Sequence, residues 1–331
     1  TIRVHAVAVR SSNAAAGMSR WRVGDFVIDI QLDSDAGKVI VTIGGKPFTE
    51  YIYGHYICRP CLYPVLTPDG QLLTRAYPFE DVEGETQDHY HHRSIYTAHG
   101  LVNGFNLWDE GVGGLGHGSM LQRGEPTVGL ADGTARIDGI VDWVGPGGQK
   151  LLEEHRCLSI RVDGDLRVLD QSSELRATYG DVNFGDTKEG GMFSIRVPTS
   201  MDAKDKGRIE NSEGDVYDSG EGEETTWGKR AAWVDYSGPL ADGGQWGHTV
   251  VDHVSNSWHP TSWHVRGYGL FTANPFGLHD FLQDDSVDGS WTIPRGETAT
   301  SKFRLIIHPG RGISGNSRIA ELIDEYQSFD G

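Results

Sequence analysis

Residues 155–169 read HRCLSIRVDGDLRVL, and this stretch predicts a β-hairpin. Apolar residues alternate with polar ones from Leu158 to Val162, and the alternation resumes at Leu166. This period of two is typical of half-buried strands, because successive side chains of a strand point to opposite faces. The Asp163-Gly164 step between the two runs is typical of a type I′ turn, in which both central residues have positive φ.

The same alternation recurs along the chain. We expect further strands over residues 24–32, 38–43, 135–144, 190–197, 230–236, 248–253, 268–274 and 300–308. From about Ser317 the apolar residues follow helical spacing instead, which predicts a short C-terminal helix on the outside of the sheets. Many short strands without a βα alternation favour an all-β protein, a large antiparallel β-sandwich or barrel. We expect one domain over 21–331, preceded by a loosely ordered segment over 1–20.

Composition narrows the function classes. The 331 residues carry a net charge of −18, which disfavours nucleic acid as a partner. No apolar run is long enough for a membrane helix, and no motif for a nucleotide cofactor is present. The three cysteines cannot all pair within one chain, which favours the cytoplasm, although the chain starts at Thr1 and export stays open. We interpret the Cys58-x-x-Cys61 pair as structural rather than as a redox or zinc motif.

Polar residues that could take part in catalysis or ligand binding are concentrated in two segments. Residues 85–108 hold five of them close together, namely His89, His91, His92, Arg93 and His99. If this segment is extended, His89, His91 and Arg93 share one face. Residues 252–266 hold His253, His259, His264 and Arg266 with Trp258 and Trp263 between them. Indole faces beside hydrogen-bonding groups suit sugar rings, because a pyranose stacks its C–H face while its hydroxyls seek polar partners.

Two further segments carry weaker signals. In residues 184–197, Lys188 and Glu189 precede two glycines and an apolar strand. A carboxylate at such a strand end can be held beside a cation. In residues 207–236 the polar or aromatic candidates are Asn211, Glu213, Trp227, Lys229 and Arg230.

Together these segments resemble one known family, the bacterial proteins grouped as a domain of unknown function (DUF6807-like) that automated labels often call "methane oxygenase PmoA". The matching stretches are RPCLYPVLTPDGQLLTRAYP (59–78), DHYHHRSIYTAHGLVNGFNLW (88–108), FGDTKEGGMFSIRVP (184–198), GRIENSEGD with WGKRAAWVDYSG (207–238) and HPTSWHVRGYGLFTANPFG (259–277). Tyr90 departs from the family pattern, which has proline there. The label does not suit a chain without a membrane segment. The resemblance instead implies a galactose-mutarotase-like super-sandwich and carbohydrate breakdown.

The leading hypothesis is an enzyme that cleaves or rearranges a saccharide C–O bond by general acid and base catalysis. Imidazole titrates near neutrality, and a partly buried carboxylate can be tuned toward it. Glu189 is the expected catalytic carboxylate, with His92 or His264 as its partner. Asp88 and Glu213 are candidates for a second acid if the reaction is hydrolytic. The expected substrate-binding residues are His89, His91, Arg93, Lys188, Arg196, Asn211, Trp227, His253, Trp258, His259, Trp263, Arg266 and Asn274.

Two alternatives stay open. A metal-dependent enzyme, with oxidative chemistry as one option, would draw three ligands from His89, His91, His253, His259 and His264. A non-catalytic sugar-binding module would use the same aromatic and imidazole groups. The leading hypothesis needs no cofactor, although a metal ion is possible. The sequence predicts a small saccharide or glycoside as the partner, and it does not indicate the oligomeric state.

Overall fold

The structure is a computed structural model that describes residues 2–4, 27–110, 116–221 and 224–328. The first eleven strands are β1 (Ile2–Val4), β2 (Ile28–Asp33), β3 (Lys38–Ile43), β4 (Lys46–Ile52), β5 (Cys61–Val65), β6 (Ile95–His99), β7 (Ser119–Gln122), β8 (Thr127–Ala131), β9 (Thr134–Val144), β10 (Lys150–Asp163) and β11 (Leu166–Arg176). The others are β12 (Val182–Phe184), β13 (Gly190–Arg196), β14 (Arg208–Asn211), β15 (Val216–Asp218), β16 (Trp233–Pro239), β17 (Gln245–Asp252), β18 (Trp263–Val265), β19 (Leu270–Ala273), β20 (Trp291–Ile293) and β21 (Thr298–Pro309). The helices are a 3₁₀ turn (Thr199–Met201), α1 (Leu278–Leu282) and α2 (Ser317–Ser328).

The strands form two large antiparallel sheets. The nine-stranded sheet has the order β1-β2-β3-β4-β5-β6-β13-β19-β18. The ten-stranded sheet has the order β15-β14-β16-β17-β21-β11-β10-β9-β7, with β8 also paired to β9. A small ribbon of β12 and β20 stands beside them. The prediction of a large antiparallel β-sandwich with a short C-terminal helix is therefore confirmed.

The main hydrophobic core draws on both sheets. Val41 and Phe193 of the nine-stranded sheet and Ile137 and Leu305 of the ten-stranded sheet belong to one buried cluster. Because side chains alternate along a strand, the residues next to each core residue in the same strand point away from the core. The nine-stranded sheet therefore has a second face, which carries a separate small cluster that includes Tyr96. This outer face positions the candidate site.

The predicted hairpin over residues 155–169 is confirmed by β10 and β11, which pair up to Asp163 and Leu166. Its turn differs from the expected type I′, because Gly164 has a φ of +62° while Asp165 is not in the left-handed region. A positive φ at the first central residue alone is the pattern of a type II′ turn, for which glycine is the preferred residue.

The C-terminal helix is also confirmed. α2 buries Ile319, Leu322, Ile323 and Tyr326 on the outer face of the ten-stranded sheet, against Val168 and its neighbours. The residues over 1–20 that were expected to be loosely ordered lie outside the described part of the chain, apart from β1, which pairs with β2. No helix among the described residues is both long and apolar enough to span a lipid bilayer.

Candidate functional site

Three strands place polar side chains on the outer face of the nine-stranded sheet. In β13, Phe193 faces the core, so Ser194 and Arg196 point outward. The pairing register aligns Ser194 with Thr272 of β19 and Thr272 with His264 of β18. The Ser194 and Thr272 hydroxyl oxygens are 2.7 Å apart, which confirms that they share a face. His264 therefore lies on the same face as Arg196.

The histidine-rich segment over 85–94 is not extended, so the predicted shared face of His89, His91 and Arg93 is wrong. The His92 N–H donates to the His89 carbonyl at 2.9 Å, and His89 has a φ of +42°, as in a tight turn. The turn stacks the His89 ring on that of His92, with centroids 4.8 Å apart, and on that of Tyr268 at 5.4 Å. Arg93 points elsewhere and makes two 2.6 Å hydrogen bonds to the buried Glu110.

A shared carboxylate fixes this turn to the sheet. Asp88 accepts hydrogen bonds from Arg75 at 2.5 Å and from Arg196 at 2.9 Å, and both guanidinium groups are buried. Its second oxygen lies 3.0 Å from Nδ1 of His89. Burial alone would raise the pKa of Asp88, but the Arg196 charge and the His89 contact outweigh it and leave that pKa below its usual value. Asp88 therefore stays ionised and works as an anchor for two arginines.

The protonation of His92 follows from its partner. Its Nδ1 lies 3.1 Å from a guanidinium nitrogen of Arg196, which can only donate. Burial and the neighbouring positive charges hold the pKa of His92 well below its usual value, so the ring is neutral. A neutral ring that accepts at Nδ1 carries its proton at Nε2. That Nε2–H is buried and has no hydrogen-bond partner within the described ranges.

His264 has the opposite tautomer. Its Nδ1 lies 2.7 Å from the Lys188 carbonyl oxygen, which can only accept, so Nδ1 carries the proton. Burial lowers the pKa of His264 to about 4, which keeps the ring neutral at pH 7. Nε2 is then a lone-pair acceptor. Asn274 also donates to the Lys188 carbonyl, at 3.0 Å, and so fixes the group that orients the imidazole.

An open cleft of about 400 Å³ is lined by residues that contact His264, while His264 itself is buried and does not line it. Lys188, Trp227 and Arg266 line it together with polar residues around α1. The His264 ring contacts the Trp227 indole edge to face, with centroids 6.3 Å apart. Arg266 lies over the rings of Trp227 and Tyr268, 5.6 Å from each, and pairs with Glu224 at 2.7 Å. The volume falls within the range typical of small-ligand sites.

Glu189 follows Lys188, which lines this cleft, and precedes the first residue of β13, while Glu189 itself is not a lining residue. Its side chain is exposed, and its carboxylate has no hydrogen-bond or ion-pair partner in the described part of the chain. Its charge acts on the Tyr268 phenol, whose pKa is raised chiefly by burial and further by Glu189 and Asp88, against Arg266 and Arg196. The predicted carboxylate is therefore exposed and unpaired, next in sequence to a residue that lines the cleft.

The structure does not bring every predicted binding residue to this cleft. Trp263 is fully buried in the core and donates to the Ala231 carbonyl, so it cannot form a platform for a sugar. Trp258 packs against Phe276 and Trp291. The Asn211 side-chain oxygen accepts hydrogen bonds from the backbone N–H groups of Glu213 and Asp215. These residues form the turn that follows β14.

The two remaining histidines of the 252–266 segment also lie elsewhere. His259 pairs with the buried Asp252 at 2.9 Å, and His253 bonds Ser255 and contacts Tyr326 of α2. The five histidines of the metal alternative are thus held by different partners, although the His89 and His91 rings contact each other. Within the described ranges, no group of three or more His, Cys, Asp or Glu side chains could hold a metal ion.

Sequence reasoning missed several residues of the site. Arg75 and Tyr268 are central to the stacked turn, and Glu224 holds Arg266. The available signal was Arg75 itself, a charged residue in an otherwise apolar run. A buried arginine needs a fixed acceptor, so its presence there indicates a nearby carboxylate or carbonyl. Tyr268 sits in a Gly-Tyr-Gly turn, where nothing local separates a site residue from a turn residue.

The fold and this face define a β-sandwich protein with a histidine- and arginine-lined outer sheet surface. The chain belongs to the family described as "Family of unknown function (DUF6807)", whose profile matches residues 38–324. That description assigns no activity. No curated protein is detectably similar to the chain in sequence.

Solved structures similar to the chain include galactose mutarotase-like proteins, as the sequence resemblance implied. Galactose 1-epimerase from Lactobacillus acidophilus is 9% identical, with a TM-score of 0.35, over 89% of this chain and 98% of its own. A galactose mutarotase-like protein from Clostridium acetobutylicum is 10% identical, with a TM-score of 0.36, over 86% and 99%. The GH36 α-galactosidase AgaB from Geobacillus stearothermophilus is 10% identical, with a TM-score of 0.43, over 87% of this chain. The chain spans only 42% of the length of that α-galactosidase. Similarity at this level does not extend to activity.

Proposed function

We propose that the protein is an enzyme that acts on a saccharide and cleaves or rearranges a C–O bond by general acid and base catalysis. The observation that carries the proposal is the fixed tautomer of His264, whose Nδ1–H is held by the Lys188 carbonyl, so that Nε2 is an acceptor on a ring in contact with the cleft-lining residues Lys188 and Trp227. A neutral imidazole with a free lone pair is the usual form of a general base.

The neighbouring residues supply the other roles. Glu189 is the partner carboxylate, because it is unpaired and adjoins Lys188. The Lys188 ammonium is only weakly held, 3.9 Å from Asp280, so it can donate to a hydroxyl or carboxylate of the substrate. Arg266 offers a second cationic group, and Trp227 offers indole surface to the apolar face of a sugar ring. In this scheme His264 and Glu189 exchange protons with the substrate, one as the base and the other as the acid, and no metal is required.

His92 has a different place in this scheme from the one expected from the sequence. Its Nε2–H is buried and its Nδ1 is occupied by Arg196, so it cannot exchange protons with a ligand in the cleft. We therefore assign catalysis to Glu189 and His264, and we assign to His92, Arg196 and Asp88 the support of the site.

The test compares the wild-type protein with Glu189→Gln on a panel of glycosides and free sugars. Reducing-end release, optical rotation and the absorbance of unsaturated products distinguish hydrolysis, isomerisation and elimination. We expect Glu189→Gln to lower turnover at least about 100-fold, since a general acid contributes at least that much. Glu125→Gln, a change at an exposed glutamate outside the cleft, is the matched control and should leave turnover unchanged.

Three outcomes would contradict the proposal. If a folded Glu189→Gln variant turned substrate over as fast as the wild type, Glu189 would have no catalytic role. Saccharide binding without turnover on any substrate would make the protein a binding module. Stoichiometric transition metal in protein purified without chelator, with turnover lost on its removal, would establish the metal-dependent alternative.

A further inference from the structure

A second open groove, of about 760 Å³, lies on the outer face of the ten-stranded sheet. Its floor is formed by the neighbouring strands β9, β10, β11 and β21, and the end of α2 forms one wall. Four strands span about 14 Å, because neighbouring strands lie about 4.8 Å apart. The volume is in the range of small-molecule sites. We call it the outer-sheet groove, and its lining includes Ser159, Asp170, Ser172, Lys302, Arg304 and Tyr326.

The pairing register places polar side chains of the floor side by side. Ser172 of β11 lies opposite Lys302 of β21, and Asp170 lies opposite Arg304. Phe303, between Lys302 and Arg304, belongs to the main core. Because side chains alternate along a strand, Lys302 and Arg304 both point to the outer face. The floor is therefore a polar part of this face.

The wall of the groove is anchored by the packing of α2. Ile319 and Tyr326 of this helix belong to one buried cluster with Val168 and Ile306 of the sheet. Tyr326 also lines the groove, where the Arg304 guanidinium lies 4.4 Å from the centre of its ring. The same helix that covers the apolar part of the face thus borders the polar part.

One ion pair of the groove has no capacity left for a ligand. Arg304 makes hydrogen bonds of 2.7 and 2.8 Å to the two carboxylate oxygens of Asp170. Its third nitrogen donates to the Leu322 carbonyl at 3.0 Å. Asp170 also accepts a hydrogen bond from Arg161 at 3.3 Å. Asp170 and Arg304 therefore shape the groove rather than bind its occupant.

Lys302 is different, because its ammonium group is not paired. It has no hydrogen-bond or ion-pair partner in the described part of the chain, although the side chain is half-buried. The other charged lining residues, Glu325 and Arg136, pair with Arg318 at 2.8 Å and with Asp138 at 2.7 Å. A cationic ligand would find the lining carboxylates already held. A carboxylate would find an unpaired ammonium group.

Two hydroxyl groups extend this site across the floor. Ser172 lies opposite Lys302, and Ser159 lies opposite Asp170 on the next strand. Neither serine side chain makes a hydrogen bond to another of the residues that the structure describes. A serine hydroxyl both donates and accepts, so it suits the hydroxyl groups of a ligand.

We propose that the outer-sheet groove binds a hydroxylated organic acid, with its carboxylate on Lys302 and its hydroxyl groups on Ser159 and Ser172. The groove belongs to the ten-stranded sheet, whereas the cleft described above belongs to the nine-stranded sheet. Binding in the groove therefore does not depend on the proposed reaction.

Titration calorimetry with two matched pairs of probes tests the chemistry. Gluconate is compared with sorbitol and lactobionate with lactitol, since each alcohol replaces the carboxylate of its acid by a CH₂OH group. At least one acid should bind about tenfold or more tightly than its alcohol, because a hydrogen bond to a charged group contributes more than a neutral one. Its affinity should fall as salt is added. The proposal is overturned if neither acid binds, or if acid and alcohol bind equally.

Three variants and one crystal structure locate the site. Lys302→Gln should weaken binding of the acid at least about tenfold, with an unchanged melting curve as the check on folding. Lys206→Gln, at an exposed lysine outside the groove, should bind like the wild type. If Lys188→Gln abolished binding and Lys302→Gln did not, the acid would occupy the cleft, and the groove proposal would be wrong. Crystals grown with the acid should show its carboxylate within hydrogen-bond distance of Lys302 Nζ, and density only elsewhere would contradict the proposal.

Discussion

Two histidines of one sheet face differ in chemistry because different atoms hold their Nδ1 nitrogens. A backbone carbonyl holds that of His264, and a guanidinium holds that of His92. Both rings are neutral since burial lowers both pKa values. One Nε2 therefore accepts and the other donates. Local sequence does not show this difference, because both partners come from residues far along the chain.

The His264 tautomer leads to a prediction about two amide substitutions. His264→Asn keeps a donor near the Nδ1 position and removes Nε2, so we expect it to fold normally and to lose about 100-fold or more in turnover. His264→Gln places its amide near Nε2 instead and gives up the bond to the Lys188 carbonyl. It should lose both turnover and stability.

Melting curves and the turnover assay on the two variants check this prediction. The informative comparison is between the variants rather than with the wild type. If His264→Asn were as active as the wild type, the imidazole would have only a structural role. If His264→Gln were the more stable of the two, the assigned tautomer would be wrong.

At the level of single elements, the β10–β11 turn depends on the backbone freedom of one glycine. Gly164 has a φ of +62°, a conformation that other residues adopt at a cost, while an added Cβ would meet no neighbouring atom. Gly164→Ala should therefore lower the free energy of unfolding by about 1 kcal/mol.

Gly180→Ala is the matched control for this substitution. An added Cβ at Gly180 also meets no atom, and its φ is outside the left-handed region. Its effect should stay within about 0.5 kcal/mol. Urea unfolding of both variants measures the difference. Equal losses would show that the positive φ of Gly164 is not what makes its substitution costly.

The same elements show how far the sequence predicts the fold. The hairpin and α2 were found because their signals are local, as in the apolar period from Leu158 to Val162. Lys188 and Trp227, which line one cleft, could be named from the sequence only through their residue types. The turn at His89 was missed because its conformation depends on Asp88, which is fixed by Arg75 and Arg196 from other elements. Trp263 was misplaced because a tryptophan of the core and one of a binding surface have the same sequence signature.

For the whole molecule, the buried histidines determine the response to acid. Burial lowers the pKa of His91, His99, His248 and His264 to about 4, and that of His92 lies well below its usual value. The unfolded chain binds protons at these side chains near pH 6.5, but the folded chain does not. Stability should therefore fall as the pH decreases from about 6.5 to about 4.

Three groups among the described residues oppose this trend. Burial raises the pKa of Asp202 to about 6 and also raises that of Glu85, and Asp235 outweighs burial to raise that of His308. Melting temperatures at steps between pH 7.5 and 4.5 measure the balance. His248→Phe removes one of the protons that the chain takes up on unfolding, so Tm should depend less steeply on pH. His55→Phe, at an exposed position, should leave that dependence unchanged. A constant Tm down to pH 5 would contradict the assignment of neutral buried rings.

The pairing of β6 with β13 has a consequence for biosynthesis. During translation, β2 to β6 leave the ribosome well before β13, so the free edge of β6 has no partner until Gly190 has left the exit tunnel. An unpaired edge of this kind is open to other nascent chains. Ribosomes stalled between these two strands should therefore present a chain that chaperones recognise, and release beyond Ala273 should end that recognition.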